Sequence, residues 1–234
     1  MLPYYHIQIK SNIHFFISPV YIFKYVLYNS KKYIYNYRSW RFIMSKSNEV
    51  EPIKKVKDIA KVKQYLLGKD NKRDYCIFVV GINVGLRAGD LLSLRIRDVT
   101  DGNRIFNEVS ITEQKTGKSR TFTLNKSAKD SIQLYLNTLP AVDLDGWLFP
   151  SRKGGHIGVR PLHHIIKTTL KELGIKGNYG THTLRKTMAF HRYQNNVPIE
   201  TLQKMLNHSS SAITLRYIGI TKEVITDCYN AVNL

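Results

Sequence analysis

Acid is scarce in this chain relative to base. Its first 43 positions hold no Asp or Glu, and across 234 residues 17 acidic side chains stand against 36 Lys and Arg. The formal charge is +19 and the isoelectric point lies near 9.9. Such an excess disfavours a cationic partner and favours a polyanion, because each phosphate neutralised releases condensed counterions. Charge alone is equally compatible with solubility or weak adhesion. Cysteine is also scarce: Cys76 and Cys228 have no metal-like spacing, so a disulfide framework is unsupported and a reducing cytosol is the natural compartment. His163 and His164 are adjacent, about 100° apart on a helix, and read as a polar or DNA-facing pair rather than a metal site. No apolar run approaches the ~20 residues of a membrane span. Lys10, Lys24 and Lys31-Lys32 interrupt the early ones, and a secretory n-region and cleavage site are missing. What is present is a 43% hydrophobic fraction, enough to bury a core.

Composition divides the chain. Residues 1–43 are dense in Tyr, Ile, Phe, Lys and Asn, with neither a helical stripe nor turn punctuation. Met44-Ser45-Lys46-Ser47 then reads like a fresh start of translation. The expectation is that 1–43 is translated upstream sequence of little structure, the competing reading being a basic, aromatic DNA-binding arm. Residues 44–53 read as a linker and 54–234 as one domain. Within it Val56, Ile59, Ala60, Val62 and Leu66 form an apolar stripe that Gly68 stops. A largely apolar helix spans about 73–84, Gly85 breaks it, and a short helix resumes over 90–94. Glu108 to Thr112 and Arg120 to Leu124 alternate in polarity around Lys115-Thr116-Gly117-Lys118, a hairpin with Gly117 at its tip. Helical patterns return at about 127–138, 161–173, 183–195, 199–207 and from Lys222. The fold class expected is α+β, mostly helical, with one small antiparallel sheet among the helices.

Three distant segments offer groups that phosphate chemistry needs. Arg87 follows the Gly85 break, where the backbone can turn sharply, and its planar fork donates paired hydrogen bonds without losing charge. A lone arginine there is ordinarily a surface salt bridge. His182 and Arg185 share a face at a helix start, with Thr181 or Thr183 as N-cap, where free N–H groups and the dipole favour a phosphate. His-x-x-Arg alone is ordinarily a solvated face. His208 precedes Tyr217 by nine residues, and tyrosine needs nearby cations to act as a nucleophile at neutral pH. With fifteen tyrosines in the chain, most must be packing residues.

Taken together the segments resemble the tyrosine recombinases, or phage-type integrases. Gly85-Leu86-Arg87-Ala88-Gly89-Asp90-Leu91-Leu92-Ser93-Leu94 looks like the box around the first catalytic arginine. His182-Thr183-Leu184-Arg185-Lys186-Thr187 matches the His-x-x-Arg box, and Leu206-Asn207-His208-Ser209-Ser210 through Tyr217-Ile218 resembles the last box. Lys115 in Gln114-Lys115-Thr116-Gly117 falls where the family places its catalytic lysine, with Lys118 a near neighbour. The resemblance covers Lys54 to the C-terminus. It implies that Tyr217 attacks the scissile phosphate to give a 3′-phosphotyrosine and a free 5′ hydroxyl, while Arg87 and Arg185 hold the phosphate oxygens. It also implies Lys115 as general acid, His182 as base or orienter of the tyrosine proton, and His208 as hydrogen-bond donor to the phosphate. No metal or nucleotide cofactor is implied. The partners implied are double-stranded DNA and a homotetramer upon it, in a cytoplasmic, nucleoid-associated setting.

The chain departs from the family in places. Asp90 stands where glutamate is common, Asn207 replaces a common glycine, and too little chain precedes Lys54 for a core-binding domain, so accessory DNA-binding proteins are a possible requirement. In the tail, Val224, Ile225, Cys228 and Val232 form a short apolar face that either docks on a neighbouring protomer or folds back. The function expected is site-specific recombination. The alternatives are a type IB topoisomerase-like nickase and a catalytically silent, DNA-binding accessory protein.

Overall fold

A computed structural model describes residues 5–9, 13–17, 49–220, 225–226 and 229–231. The chain separates into two units, residues 1–47 and 48–234. In the first, β1 (Tyr5–Ile9) pairs antiparallel with β2 (Ile13–Ile17), Tyr5 opposite Ile17 and Ile9 opposite Ile13. The remainder of the stretch expected to have little structure lies outside the described residues.

In the second unit the helices are α1 (Val56–Gly68), α2 (Lys72–Val84), α3 (Ala88–Leu92) and α4 (Ile96–Val99). The hairpin β3 (Glu108–Thr112) and β4 (Ser119–Thr123) follows, then α5 (Lys126–Leu136), α6 (Val159–Glu172), α7 (His182–Gln194), α8 (Ile199–Leu206) and α9 (Ser211–Tyr217). This is the mostly helical domain with a small antiparallel sheet that the sequence predicts. The short helices α4 and α9 are additions to that reading.

Helix α2 is the axis of the core. Asn71 caps it, its side chain accepting from Asp74 N at 3.1 Å. Cys76, Ile77, Phe78, Val79, Val80 and Val84 are buried, as a helix apolar on nearly every face must be. It packs chiefly against α5 and α7. The α7 contact needs Gly81, since a Cβ there would stand 2.5 Å from Leu184 Cδ1. Burial pushes the Cys76 thiol up to about 12, which makes it an inert core residue. On α1 the stripe is narrower than expected: Val62 and Leu66 are buried and Ile59 partly so, but Val56 faces solvent.

The segment read as a linker is fastened to α7 from Glu49 onward. Ile53 is buried, and its N–H donates to Thr187 Oγ1 at 2.9 Å. Thr183 Oγ1 donates to Glu51 O at 2.9 Å and accepts from Gly180 N at 3.0 Å. Thr181 is the N-cap residue of α7, as expected, though its side chain makes no capping hydrogen bond, and the Thr183 hydroxyl is engaged in stapling this strap. A second, smaller core of Met188, Ala189, Leu206 and Ile218 joins α7, α8 and the end of α9. Of the tail, Ile225 and Tyr229 are exposed, while Val224, Cys228 and Val232 lie outside the described residues.

Candidate active site

Gly85 ends α2 in the left-handed region, φ 66°, where a Cβ would lie 2.1 Å from Met188 Cε. The chain thereby turns at once into Arg87, the N-cap of α3, and leaves the Gly85 carbonyl pointing at two guanidinium groups. Arg185 Nη1 donates to it at 2.7 Å and Arg120 Nη2 at 3.4 Å. Arg185 is only 2% exposed, and its Nη2 also donates to Leu206 O at the end of α8. Burial, then the facing charges of Arg120 and Arg87, bring its pKa down to about 10, so it stays a cation at neutral pH.

The histidine loop is set by the end of α8. Asn207 is left-handed, φ 51°, with Asn207 N donating to Lys204 O and His208 N to Gln203 O, both at 3.0 Å. This is a Schellman end with asparagine in the glycine position. The departure from the family's glycine therefore leaves the turn intact. His208 Nδ1 is 3.0 Å from Thr214 Oγ1, and its Nε2 faces Arg185 Nη2 at 3.4 Å. The Tyr217 ring meets the His208 ring edge-on, centroids 5.2 Å apart, while Lys186 Nζ stands 5.2 Å from the tyrosine centroid. The Tyr217 hydroxyl is buried and makes no aligned hydrogen bond among the described residues. Burial raises its pKa, against the opposing pull of Arg185 and Arg87, so the resting phenol is neutral.

Four of the six expected residues thus converge: Arg87, Arg185, His208 and Tyr217. His182 and Lys115 stand at the rim. His182 opens α7 as an exposed residue with its ring partly buried, and its pKa is lowered first by that burial and then by Arg185, Lys186, Lys115 and Arg87. Lys115 is exposed in the β3–β4 turn and makes no hydrogen bond or ion pair among the described residues.

Sequence reasoning missed the groups that hold these in place. Glu113 is fully buried, with Oε1 2.6 Å from Arg87 Nη1 and 3.5 Å from Arg120 Nη1. The first is an ion pair by distance, though the N–H is not aimed along it. Burial would raise the Glu113 carboxyl, but Arg87, Thr116 and Asn207 outweigh it and hold the pKa down at about 2. Asp90 accepts from Gln114 N at 2.9 Å and lies 3.9 Å from Arg87 Nη1, which ties the hairpin to the arginine as a structural partner would. Arg120 had a signal: it shares the inner face of β4 with Phe122, two residues on, where a charge requires a buried partner.

The cationic surroundings predict an acid sensitivity. Burial first, then Arg185, Arg87 and Arg120, with only Glu113 opposing, drive the His208 pKa down to about 4. Unfolded, it titrates near the ordinary 6.5. Between these values the unfolded chain binds more protons, so stability falls as pH drops through that window. Because the ring is only half-buried, solvent screens the effect, and the loss from this group is on the order of 1–2 kcal/mol. Glu113 acts lower, its contribution present above about 4.5 and lost towards about 2. Denaturant unfolding of the wild type and of His208→Gln, from pH 7 to pH 4, checks this. The variant should lose about 1–2 kcal/mol less over the window; equal losses would contradict it.

The arrangement gathers cations around one buried phenol, which is suited to a phosphodiester. Comparison with known proteins agrees. The Phage integrase family profile matches residues 51–223. The protein named "Probable integrase/recombinase YoeC" of Bacillus subtilis (strain 168) is 39% identical over 181 residues, covering 77% of this chain and 95% of that one. "Tyrosine recombinase XerC" of Caldanaerobacter subterraneus subsp. tengcongensis is 30% identical over 167 residues, 70% of this chain but 46% of its own length. The chain therefore spans nearly all of the first relative and about half of the second. Among solved structures, the XerH site-specific recombinase bound to palindromic difH substrate has the same fold, with a TM-score of 0.59 at 19% identity over 78% of this chain and 53% of that one. Among the described residues no helix is long and apolar enough to cross a membrane. On the profile match and the likeness to YoeC, the chain belongs to the phage integrase family, the tyrosine recombinases, enzymes that break and rejoin DNA through a tyrosine.

Proposed function

We propose that this chain carries out site-specific DNA recombination with Tyr217 as nucleophile. The observation that carries the reading is the buried Tyr217 hydroxyl, free of any aligned partner among the described residues, on a ring set against His208 beside Arg185. The tyrosine oxygen bonds to phosphorus, the bond to the 5′ oxygen breaks, and the strand is left with a 3′-phosphotyrosine and a 5′ hydroxyl. The phenol proton leaves by way of His182 or water, and Lys115 supplies the proton that the 5′ oxygen takes. Arg87, Arg185 and His208 hold the non-bridging oxygens and meet the charge of the transition state. A 5′ hydroxyl from another strand reverses the steps. The phosphotyrosine conserves the bond energy, so neither metal nor nucleotide has to drive the exchange.

Double-stranded DNA is the partner, a reading supported by the likeness to the Tn1549 transposon integrase in complex with circular intermediate DNA. We propose further that the chain works as a homotetramer on DNA at the nucleoid in the cytoplasm, with accessory DNA-binding proteins helping to choose the site. In this reading residues 54–234 are the catalytic domain, and the working protein starts at Met44.

Trapping tests this. The protein is incubated with nicked suicide duplexes carrying randomised half-sites, and covalent adducts are recovered after denaturation. The expected adduct holds DNA by its 3′ end and frees a 5′ hydroxyl that a polynucleotide kinase can label. An adduct at a 5′ end, or DNA binding with no adduct, would overturn the reading. Plasmids carrying the recovered sequence should recombine; relaxation alone would favour the nickase.

A further inference from the structure

Glu113 reaches three separate parts of the site: Arg87, the lysine turn and the histidine loop. Its two oxygens have separate partners. Oε1 faces Arg87 and Arg120, while Oε2 accepts from two neutral donors. These are Thr116 Oγ1 at 2.7 Å, one residue from Lys115, and Asn207 Nδ2 at 2.9 Å, one residue from His208. The backbone of Glu113 closes the same turn, its N–H donating to Lys118 O at 2.9 Å and its carbonyl accepting from Gly117 N at 2.8 Å. Lys115 itself is held by nothing else among the described residues. A counterion for two arginines would need only the first oxygen.

Resting on the assignment of Lys115 and Arg87 above, we infer that Glu113 is a positioning residue: it anchors the lysine turn through Thr116 and the histidine loop through Asn207 to the carboxylate that orients Arg87. The acid and the phosphate clamp then meet the same phosphate. Among the described residues no hydrogen bond takes Arg87 Nε or Nη2, so Glu113 fixes one corner of the guanidinium and leaves the fork to the substrate.

The test uses the nicked duplex recovered by trapping, made with its scissile 5′ bridging atom as oxygen or as sulfur. An alkoxide must take a proton as it leaves. A thiolate, whose thiol ionises near pH 8.5, need not, so sulfur bypasses Lys115 alone. Single-turnover adduct formation is compared for wild type, Lys115→Ala, Glu113→Gln and Thr116→Val. On oxygen, Glu113→Gln should be about 100-fold slow and Thr116→Val about 10-fold, with duplex affinity little changed. On sulfur, Lys115→Ala and Thr116→Val should recover, and Glu113→Gln should regain at least about 10-fold, any residue of the defect reporting Arg87. If sulfur rescues Lys115→Ala but neither of the other two, the inference is overturned and Glu113 is a structural counterion. If sulfur fails to rescue Lys115→Ala, the assignment of the lysine falls and the inference falls with it. Thr116 lies in an exposed turn, so its variant decides the matter even if Glu113→Gln does not fold.

Discussion

Tyr217→Phe is expected to abolish the covalent protein–DNA complex while the fold and DNA binding persist. The ring is what the fold uses. It packs at the edge of the small core of Met188, Ala189, Leu206 and Ile218, meets His208 edge-on and lies beneath Lys186. Phenylalanine keeps all of these contacts. The hydroxyl is buried and makes no aligned hydrogen bond among the described residues, its proximity to the Arg185 guanidinium offsetting only part of the roughly 1–3 kcal/mol that burying a polar group costs. Deleting it should therefore leave the melting temperature unchanged or raise it. Cleavage loses its nucleophile, and a fall of at least about 10⁴-fold follows. The check pairs adduct formation with a thermal melt and a DNA-binding titration. An adduct that survives means another of the fifteen tyrosines attacks. A variant that loses fold and adduct together would show that the hydroxyl has a structural partner.

The large helices were legible because period and punctuation agree along them. Asn71 and Asn125 both cap where the sequence places a helix start, and Gly85 stops α2 in the one conformation glycine adopts freely. The catalytic candidates were legible from order and spacing. What stayed hidden shares one physical character: its meaning depends on partners remote in sequence. Glu113 reads locally as a polar residue beside a hairpin turn, yet it is 0% exposed and its partners lie at 87, 116, 120 and 207. Ser211 to Tyr217 is too short and too mixed in polarity to announce α9, whose far side is stabilised by the α8 contact rather than by its own sequence. The strap from Glu49 to Ile53 lacks periodicity because it is held by hydrogen bonds to Thr183, Thr187 and Asn178. Asn207 departs from the glycine common in the family at this position. It keeps the left-handed turn and uses its side chain to reach Glu113, which glycine could not do.

Arg185 should also separate activity from stability, against what its hydrogen bonds suggest. Its fork satisfies the carbonyls of Gly85 and Leu206 and faces His208, so a simple count of hydrogen bonds predicts a large loss of stability on removal. The pKa argues the other way. Bringing a guanidinium from 12.5 to about 10 means that keeping this group charged costs the fold about 3 kcal/mol. Arg185→Met removes that cost, of which the repulsion from Arg87 and Arg120 is a part. What it leaves are two carbonyls short of a donor, about 1–3 kcal/mol each, one of which Arg120 still reaches. The opposing effects are of similar size, so the net change in unfolding free energy should stay within about 2 kcal/mol. Nothing offsets the loss in the transition state, where a preorganised cation must meet developing charge, and cleavage should fall about 10³-fold or more. Arg185→Lys makes the distinction finer. It restores the charge but offers a point in place of a fork, so it can serve a carbonyl or the phosphate and not both. Denaturant melts and single-turnover cleavage of the two variants provide the check. A collapse of stability in Arg185→Met with cleavage little changed in Arg185→Lys would mean that Arg185 is there to hold Gly85 and the end of α8. The expected pattern, mild destabilisation with cleavage lost in both, means that the fold tolerates a destabilising buried cation because the phosphate requires it.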